Sequence, residues 1–552
     1  MDTRESKSVV GTRRAVSNCP MDTRERHLAP FQSTLKNNWR SILLYLFVVS
    51  MLSFSWMFKK ITVPNERTRV YLAVSIVDDF SLSIDHSVRR FGKTTDISKY
   101  NGKYYTDKAP GSSFVGALIY GAVRLFSPSR HWPIERLVNL MRNCIMIPFG
   151  ILGFGLLRRF LIRRKLDGVT VNIVSVAWIL GTSAFHYSTV FYGHQLAAVG
   201  FLAAVNLVFC RSHSPRTQSI ALLGAGAAAG FSGLMEFQST IPAVFILMLV
   251  AWRERRLPSI LLFLFGAMPF AIALFAYNWA CFGGPLELSY HHLASQNLQH
   301  LHELGIGGVS IPKPVAIFGS LFSLHRGLIA TSPIFLLFPI GIAEMWKRGD
   351  KECAILILGI TVYYLLFIFS ADAWDAGWSF GPRLLVPMMA LSVIGVGYGA
   401  DRLRTAPFWQ GVAVGLCAAG VIYHQMVQIV FPELPVTAHN PIKDVVIAAV
   451  GDGIFSPNLV SKIADKPVEW SIWVAGALLL CIFLLLFDFS KRTGLLGYLG
   501  FGGGLAIPAA ILAMAILLVP PAWNTRKTEK FLKWMQRLEQ AEYPAAIYKD
   551  AS

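Results

Sequence analysis

Charged side chains are scarce in this sequence of 552 residues. Asp, Glu, Lys and Arg together make up 15% of the residues, whereas soluble domains typically contain about 25%. Hydrophobic residues make up 54%, and the mean hydropathy is +0.49. These values exclude a soluble globular enzyme, a disordered chain and a fibrous protein.

Acidic residues are the scarcer of the two charged classes. The 32 Asp and Glu residues face 51 Lys and Arg residues, so the formal net charge is +19. Such an excess is typical of two kinds of protein: those that bind nucleic acid, and membrane proteins with Lys and Arg at the cytoplasmic ends of their helices.

Cysteines are few, and none of the seven forms a CxxC motif. This spacing suggests neither a disulfide framework nor a zinc knuckle. The first 40 residues have no apolar run ahead of Ser41, so we expect no cleavable signal peptide there. MDTRES at Met1 is repeated as MDTRER at Met21, which we interpret as an ambiguity in the start site.

Long apolar runs recur from Ser41 onward, most of them near the roughly 17–25 residues that a transmembrane helix needs. Backbone polar groups cannot stay unpaired in lipid, so each run is predicted to be a helix. We predict about thirteen spans, which are 41–57, 138–158, 169–191, 194–210, 218–235, 238–252, 258–279, 328–346, 353–371, 383–400, 407–430, 470–488 and 497–520.

Basic clusters occur at alternate connectors, for example at 158–165, 253–256 and 401–404. The positive-inside rule places them in the cytoplasm with the basic N-terminus. Most of the excess positive charge then lies on cytoplasmic segments, and no nucleic-acid partner is expected. The remaining long connectors are predicted to be extracytoplasmic, at 58–137, 280–327, 372–382 and 431–469.

Three regions follow from this topology. Residues 1–40 are predicted to form a disordered cytoplasmic tail, residues 41–520 a transmembrane domain, and residues 521–552 an extracytoplasmic tail. Within the last region, 525–543 has apolar residues at helical spacing among basic ones. We predict an amphipathic helix there, lying on the membrane or on the outer loops.

The first outer loop concentrates the ionisable groups. Its apolar segment 111–126 carries Arg124, and we predict an interfacial or re-entrant helix there. A carboxylate in this loop can serve as a general base or ligate a divalent cation, and Lys108 can meet a phosphate. A solvated loop with balanced charges is the alternative. The acids concerned are Glu66, Asp78, Asp79, Asp85, Asp96 and Asp107.

Three motifs of this loop occur in order: PNERTRVY (64–71), VDDFSLSI (77–84) and NGKYYTDKAPG (101–111). They resemble the first periplasmic loop of the glycosyltransferase C superfamily, and most of all the lipid-A aminoarabinose transferases and the bacterial enzymes similar to protein O-mannosyltransferases. HYSTVFYGHQLAA (186–198) and WDAGWSFGPRLLVP (374–387) extend the resemblance. It covers residues from about 41 to 400.

This resemblance implies an all-α, multi-pass bundle of glycosyltransferase C architecture, with membrane-parallel helices in the first outer loop. It implies transfer of a sugar from a polyprenyl-phosphate donor, with cationic groups offsetting the charge of the departing phosphate. By position, Glu66 is the candidate base or metal-associated acid. Asp107 is a metal ligand or a structural carboxylate, and Lys108 and Arg383 are phosphate contacts.

The sequence also departs from the family pattern. Asn65 replaces the first acid of the expected pair and cannot act as a base. The second-loop motif offers His194 and Gln195 instead of a carboxylate, so Asp78 or Asp79 is the candidate for the missing charge. The remaining candidates for substrate binding are Arg69, Tyr105 and His194.

Histidines and tryptophans in the later outer loops allow two interpretations each. The histidines can bind zinc or contact phosphate when protonated, but their spacing matches no standard zinc site, and a polar loop is the alternative. Trp374 and Trp378 suit sugar stacking and equally suit an interfacial aromatic belt. The histidines are His291, His292, His300 and His302.

We therefore predict a membrane glycosyltransferase that moves a sugar from a polyprenyl-phosphate donor to an extracytoplasmic glycan, lipid or protein. A divalent metal cation is a possible cofactor. We place the protein in a bacterial inner membrane, with its N-terminus inside and its active site outside. Two alternatives stay open: a transporter or flippase of lipid-linked substrates, and a catalytically inactive scaffold for envelope assembly.

Overall fold

The computed structural model describes residues 41–55, 57–58, 63–127, 132–210, 214–295, 299–300, 308–486 and 495–538. Contacts divide the chain into two compact units, Met1–Leu46 and Phe47–Ser552. The predicted tail 1–40, His302 and the end of the chain from residue 539 lie outside the described residues. The first helix, α1, is Ser41–Leu52.

The first outer loop folds into helices around one β-hairpin. Pro64 starts its first helix, because a proline suits the first turn, where its missing N–H is not needed. The hairpin turns at Asn101 and Gly102, both with positive φ, as a two-residue turn requires. The elements are α2 (Pro64–Asp78), α3 (Asp85–Phe91), β1 (Ile97–Tyr100), β2 (Lys103–Thr106) and α4 (Gly111–Phe126).

The first half of the bundle follows. Its first helix is interrupted by a π-helical turn at Arg142–Met146, and 3₁₀ turns lie at Phe237–Ser239 and Ser289–His292. The helices are α5 (Ile134–Arg163), α6 (Gly168–Leu180), α7 (Ala184–Tyr187), α8 (Gly193–Val208), α9 (Pro215–Met235), α10 (Thr240–Glu254) and α11 (Leu257–Phe282).

The second half of the bundle contains two 3₁₀ turns, at Pro333–Leu337 and at Arg383–Leu385. A π-helical turn at Ile442–Val446 precedes a short helix. The helices are α12 (Pro314–Phe322), α13 (Leu328–Thr331), α14 (Phe338–Lys347), α15 (Lys351–Ser370), α16 (Val386–Leu403), α17 (Pro407–Gln428), α18 (Ile447–Gly451), α19 (Leu459–Ala464), α20 (Val468–Leu486), α21 (Leu495–Leu518) and α22 (Thr525–Arg537).

Eight of the described helices are long and apolar enough to cross a membrane: α5, α9, α11, α15, α16, α17, α20 and α21. The shorter apolar helices are α1, α4, α6 and α8. The protein is an integral membrane protein of the predicted all-α class, with the hairpin as its one sheet in the described part. The predicted count of thirteen spans stays a prediction, as does the orientation of α2–α4 relative to the membrane.

Two predicted spans are not continuous helices. Within the predicted span 169–191, the helix ends at Leu180. Gly181 there approaches the backbone of Val421, and the Thr182 hydroxyl accepts a hydrogen bond from the backbone N–H of Ala184 (3.1 Å). The span 328–346 is broken at Pro333, which lacks the N–H that a continuing helix needs. The first break produces a short segment with several polar side chains beside the candidate site, and the second is a mostly apolar 3₁₀ turn.

Glycines set the closest helix contacts. A Cβ on Gly226 of α9 would lie 1.9 Å from the carbonyl oxygen of Phe263, and one on Gly266 of α11 would lie 2.0 Å from that of Leu223. The same holds for Gly504 of α21 against Phe408 of α17 (2.0 Å). The runs of small residues at 224–230 (GAGAAAG) and 500–504 (GFGGG) are therefore helix-packing surfaces.

Candidate active site

A buried ion cluster lies between the hairpin and α4. Lys108 Nζ contacts Asp107 Oδ2 at 2.7 Å and Asp96 Oδ2 at 3.0 Å. Asp107 is 1% exposed, and its second oxygen, Oδ1, is buried without a hydrogen-bond partner among the described residues. Asp107 and Lys108 are adjacent in sequence, and the turn that ends at Pro110 directs both into the protein.

Burial raises the pKa of Asp107 to about 6, although the Lys108 ammonium opposes the rise. For Lys108, burial acts to lower the pKa, but the carboxylates of Asp107 and Asp96 outweigh it and raise the pKa above its usual value. At neutral pH the cluster therefore holds a protonated amine beside a carboxylate that can take up a proton.

Arg69 of α2 joins this cluster to the end of α9. Its guanidinium donates to Asn65 Oδ1 (2.8 Å), Ser112 Oγ (2.6 Å) and Glu236 Oε1 (3.0 Å). Burial raises the pKa of Glu236, and the Arg69 cation opposes the rise. Asn65, which replaces the expected acid, thus serves as a hydrogen-bond acceptor for Arg69, four residues further along the same helix.

The start of α8 closes the site from another side. His194 Nδ1 lies 3.4 Å from Glu236 Oε1, without hydrogen-bond geometry. The preceding residue must be glycine, since a Cβ on Gly193 would lie 2.3 Å from the same oxygen. Both polar atoms of the buried Gln195 amide lack partners among the described residues. Unsatisfied buried amides are rare in folded proteins and favour a ligand-binding role.

Arg383 faces the site from the 3₁₀ turn before α16. Its guanidinium lies over the Tyr192 ring, 5.6 Å from the centroid, and its Nε is buried without a hydrogen-bond partner in the described part of the chain. No carboxylate of the described residues forms an ion pair with it. The positive charges of Arg69, Arg383 and Lys108 all act on Glu236, so one site holds three cations.

The predicted base, Glu66, is held by other groups. It is fully buried, its carboxylate pairs with Arg142 through both oxygens, and Oε1 also accepts from the backbone N–H of Phe191 at 2.7 Å. The carboxylate thereby ties α2 to the π-helical turn of α5 and to the segment before α8. Its role as the base stays a prediction, and the geometry is that of a structural anchor.

Asp78 and Asp79 lie away from the cluster described above, and their role in supplying the missing charge stays a prediction. Both lie at the far end of α2 from Glu66, about 18 Å away at the rise of an α-helix. Asp78 accepts from Arg124 Nε (2.9 Å) and from the Tyr120 hydroxyl (2.9 Å), and so attaches α4 to α2. Asp79 pairs with His86 at the surface (3.1 Å).

Tyr105 forms part of an aromatic wall beside the cluster, with its ring centroid 5.4 Å from that of Phe282. Burial raises its pKa. Tyr290 and Glu433 also belong to the site or its surroundings, and sequence reasoning did not select them, whereas Asp96 was among the acids of the first outer loop. Glu236 was detectable as an ionisable residue at the end of an apolar run, which is a recognised signal of function.

The described residues contain no group of three or more His, Cys, Asp or Glu that could hold a metal ion. His291 and His292 each contact Glu287 at 3.0 Å, an arrangement that explains this pair without zinc. A divalent cation at Asp107 stays a prediction. Trp378 packs against Trp534 of α22, with ring centroids 5.7 Å apart, so the C-terminal helix lies on an outer loop.

No family model matches the sequence, and no curated protein matches it. The crystal structure of ArnT from Cupriavidus metallidurans bound to undecaprenyl phosphate is similar, with a TM-score of 0.50 and 14% identity over 87% of this chain and 78% of that one. The apo oligosaccharyltransferase of Archaeoglobus fulgidus aligns with a TM-score of 0.45 and 12% identity, over 73% of this chain and 57% of that one.

The likeness to ArnT establishes the fold. The chain shares the fold of ArnT, in agreement with the multi-pass helical bundle predicted from the sequence, and it is an integral membrane protein. At 14% identity the similarity carries no information on donor or acceptor.

Proposed function

We propose that this protein is a membrane glycosyltransferase that uses a polyprenyl-phosphate sugar as donor. The observation that carries the proposal is a site in which Arg69 contacts Glu236, Lys108 contacts Asp107, and the charge of Arg383 acts on Glu236. Buried charges are costly unless they are used or paired. Arg383 has no carboxylate within ion-pair distance among the described residues, and an incoming phosphate would give it an anionic partner.

The site has the groups that inverting transfer requires. Asp107 Oδ1 accepts the proton of an acceptor hydroxyl while that oxygen forms a bond to the anomeric carbon of the donor. The bond from this carbon to the phosphate oxygen breaks, and polyprenyl phosphate leaves with the electron pair. Lys108 and Arg383 offset the negative charge that develops on the leaving group.

The fold supports a donor of this chemical class. ArnT, which shares the architecture, was crystallised with undecaprenyl phosphate bound. Here, Glu236 and Arg383 of the candidate site lie at the ends of helices that are long and apolar enough to cross a membrane, which suits a donor with a lipid tail and a polar phosphate. We infer that the acceptor is an extracytoplasmic glycan, lipid or protein, and that the protein resides in a bacterial inner membrane with its N-terminus inside.

The experiment is a complementation assay in cells that lack the gene, with mass analysis of envelope glycans and of lipid-linked sugars. We expect the wild-type chain to restore a glycan modification and to deplete a polyprenyl-phosphate sugar. Cells that carry Lys108→Met or Asp107→Asn should accumulate that donor, and transfer should fall by at least about a hundredfold. Lys108→Met removes a group that offsets the charge of the leaving phosphate, and Asp107→Asn removes the group that accepts the proton.

Lys103→Met is the matched control, since Lys103 is exposed on the same hairpin. It should transfer as well as the wild type. Transfer that survives in Lys108→Met and Asp107→Asn at wild-type protein levels would contradict the proposal. Accumulation of the lipid-linked sugar on the cytoplasmic leaflet alone would instead favour a flippase.

A further inference from the structure

A second buried network lies behind Arg383. Glu433 follows α17 in the chain and is 1% exposed. Its Oε1 lies 2.8 Å from His186 Nε2, and its two oxygens lie 3.4 and 3.5 Å from the Tyr192 hydroxyl. His186 lies within the polar segment that interrupts the predicted span 169–191, and Tyr192 is the last residue before α8. The network therefore joins two outer segments that are distant in sequence.

The negative charge of Glu433 acts on two arginines, Arg326 and Arg383, with which it forms no ion pair. Among the described residues, only His186 lies within ion-pair distance of its carboxylate. The electrostatic influence of Glu433 nevertheless reaches both Arg326 and Arg383. Arg326 is committed to the backbone, because it donates to the carbonyl oxygen of Ser379 at 2.8 Å. Arg383 is not committed in this way, and its Nε has no partner in the described part of the chain.

Tyr192 links the two groups. Its hydroxyl points to Glu433, while its ring lies under the Arg383 guanidinium, 5.6 Å from the centroid. The ring is fully buried and packs edge-on against Tyr187, with centroids 5.4 Å apart. A guanidinium over a tyrosine face is attracted by the π electrons, and the attraction depends on the orientation of the ring.

We propose that Glu433 is a positioning residue for the phosphate end of the donor. It fixes the ring of Tyr192, and the ring holds the Arg383 guanidinium where the leaving phosphate develops its charge. This role rests on the proposed function. Glu433 does not itself touch the substrate, so its effect must pass through Tyr192 and Arg383.

Coupling between two residues is measured by a double-mutant cycle, because residues that act through one contact are not additive. The probe is undecaprenyl phosphate, titrated into the full-length chain in lipid nanodiscs, and undecaprenol serves as the uncharged control. We expect Arg383→Gln to weaken binding of the phosphate at least tenfold, as loss of a charged hydrogen bond does. Glu433→Gln should weaken it about fivefold in the wild-type background and less than twofold in the Arg383→Gln background.

Tyr192→Phe gives a second route to the same result if Glu433→Gln does not fold. It removes only the hydroxyl, keeps the ring, and should show the same dependence on Arg383. Equal losses for Glu433→Gln, or for Tyr192→Phe, in both backgrounds would overturn the positioning role and leave the proposed function intact. A wild-type chain that binds undecaprenol as tightly as undecaprenyl phosphate would overturn the proposed function and this role with it.

Discussion

At the scale of single residues, the pair formed by Glu66 and Arg142 separates a structural role from a catalytic one. Arg142 is 1% exposed, and Glu66 is fully buried. We expect Glu66→Gln to lower the free energy of unfolding by about 3 kcal/mol, because it removes the negative charge that the buried Arg142 guanidinium contacts. The change is measured as chemical unfolding of the purified chain in detergent.

The double variant Glu66→Gln with Arg142→Met is the decisive comparison. If Glu66 is an anchor, the second change removes the buried cation that the carboxylate neutralised and restores most of the stability and the transfer activity. If Glu66 is the base, the double variant stays inactive however stable it is. A stable, inactive double variant would therefore support the catalytic role of Glu66 that the family resemblance implies.

Sequence reasoning selected several residues that the structure places near one another, but it did not identify their partners. Lys108, Asp107, Arg69 and Arg383 were selected by motif and do lie in or around one site. The Asn65–Arg69 contact was accessible in principle, because residues four apart share a helix face. The partner of Glu66 was not, since Arg142 comes from a predicted span whose π-helical turn depends on tertiary packing.

At the scale of elements, the C-terminal helix α22 braces the outer segment that leads to Arg383. Trp534 is 3% exposed and contacts both Trp378 and Phe431. The Asp444 carboxylate accepts from the backbone N–H groups of Ala522 and Trp523, at 2.7 and 3.0 Å, and so fixes the start of this helix. The arrangement identifies α22 as part of the folded domain.

We expect Trp534→Ala to lower the free energy of unfolding by about 3 kcal/mol, because it leaves a cavity between aromatic rings. Chemical unfolding of the purified chain measures the change. Lys533→Ala is the matched control on the same helix, because Lys533 is exposed, and it should cost less than about 0.5 kcal/mol. Equal effects of the two changes would show that the helix does not pack on the outer segment.

The lengths of most helices follow from apolar runs alone, which is why eleven of the thirteen predicted spans correspond to single described helices. The two failures share a cause. At Gly181 and Pro333 the helix stops, although each predicted span extends past that residue. Hydropathy reports the cost of exposing a segment to water, and it is insensitive to local hydrogen bonds that end a helix inside the protein.

At the scale of the whole molecule, ion pairs gather at the ends of helices that we assign to the cytoplasm. Arg348 pairs with Asp401 (2.9 Å), and Arg164 pairs with Asp350 (2.6 Å). The hairpin and the candidate site belong to the segments assigned to the opposite side. The charge pattern thus predicts which face of the membrane holds the chemistry.

Cysteine labelling tests this orientation. Lys103 and Arg402 are both exposed. We expect the cysteine of Lys103→Cys to react with a membrane-impermeant maleimide in intact cells, and that of Arg402→Cys to react only after permeabilisation. The unmodified chain controls for native cysteines. The reverse labelling pattern would place the site on the cytoplasmic face and exclude an extracytoplasmic acceptor.

The wide sequence separation of the site's partners has a consequence for biosynthesis. His186 and Glu433 are 247 residues apart, and Arg69 and Glu236 are 167 apart. At about 5–20 residues per second, a ribosome needs roughly 12–50 s to synthesise the chain between His186 and Glu433. During that interval the earlier half is already in the translocon with its polar groups unpaired. Newly made chains therefore pass through a period in which membrane quality-control proteases can recognise them, and that period ends when the segment carrying Glu433 is inserted.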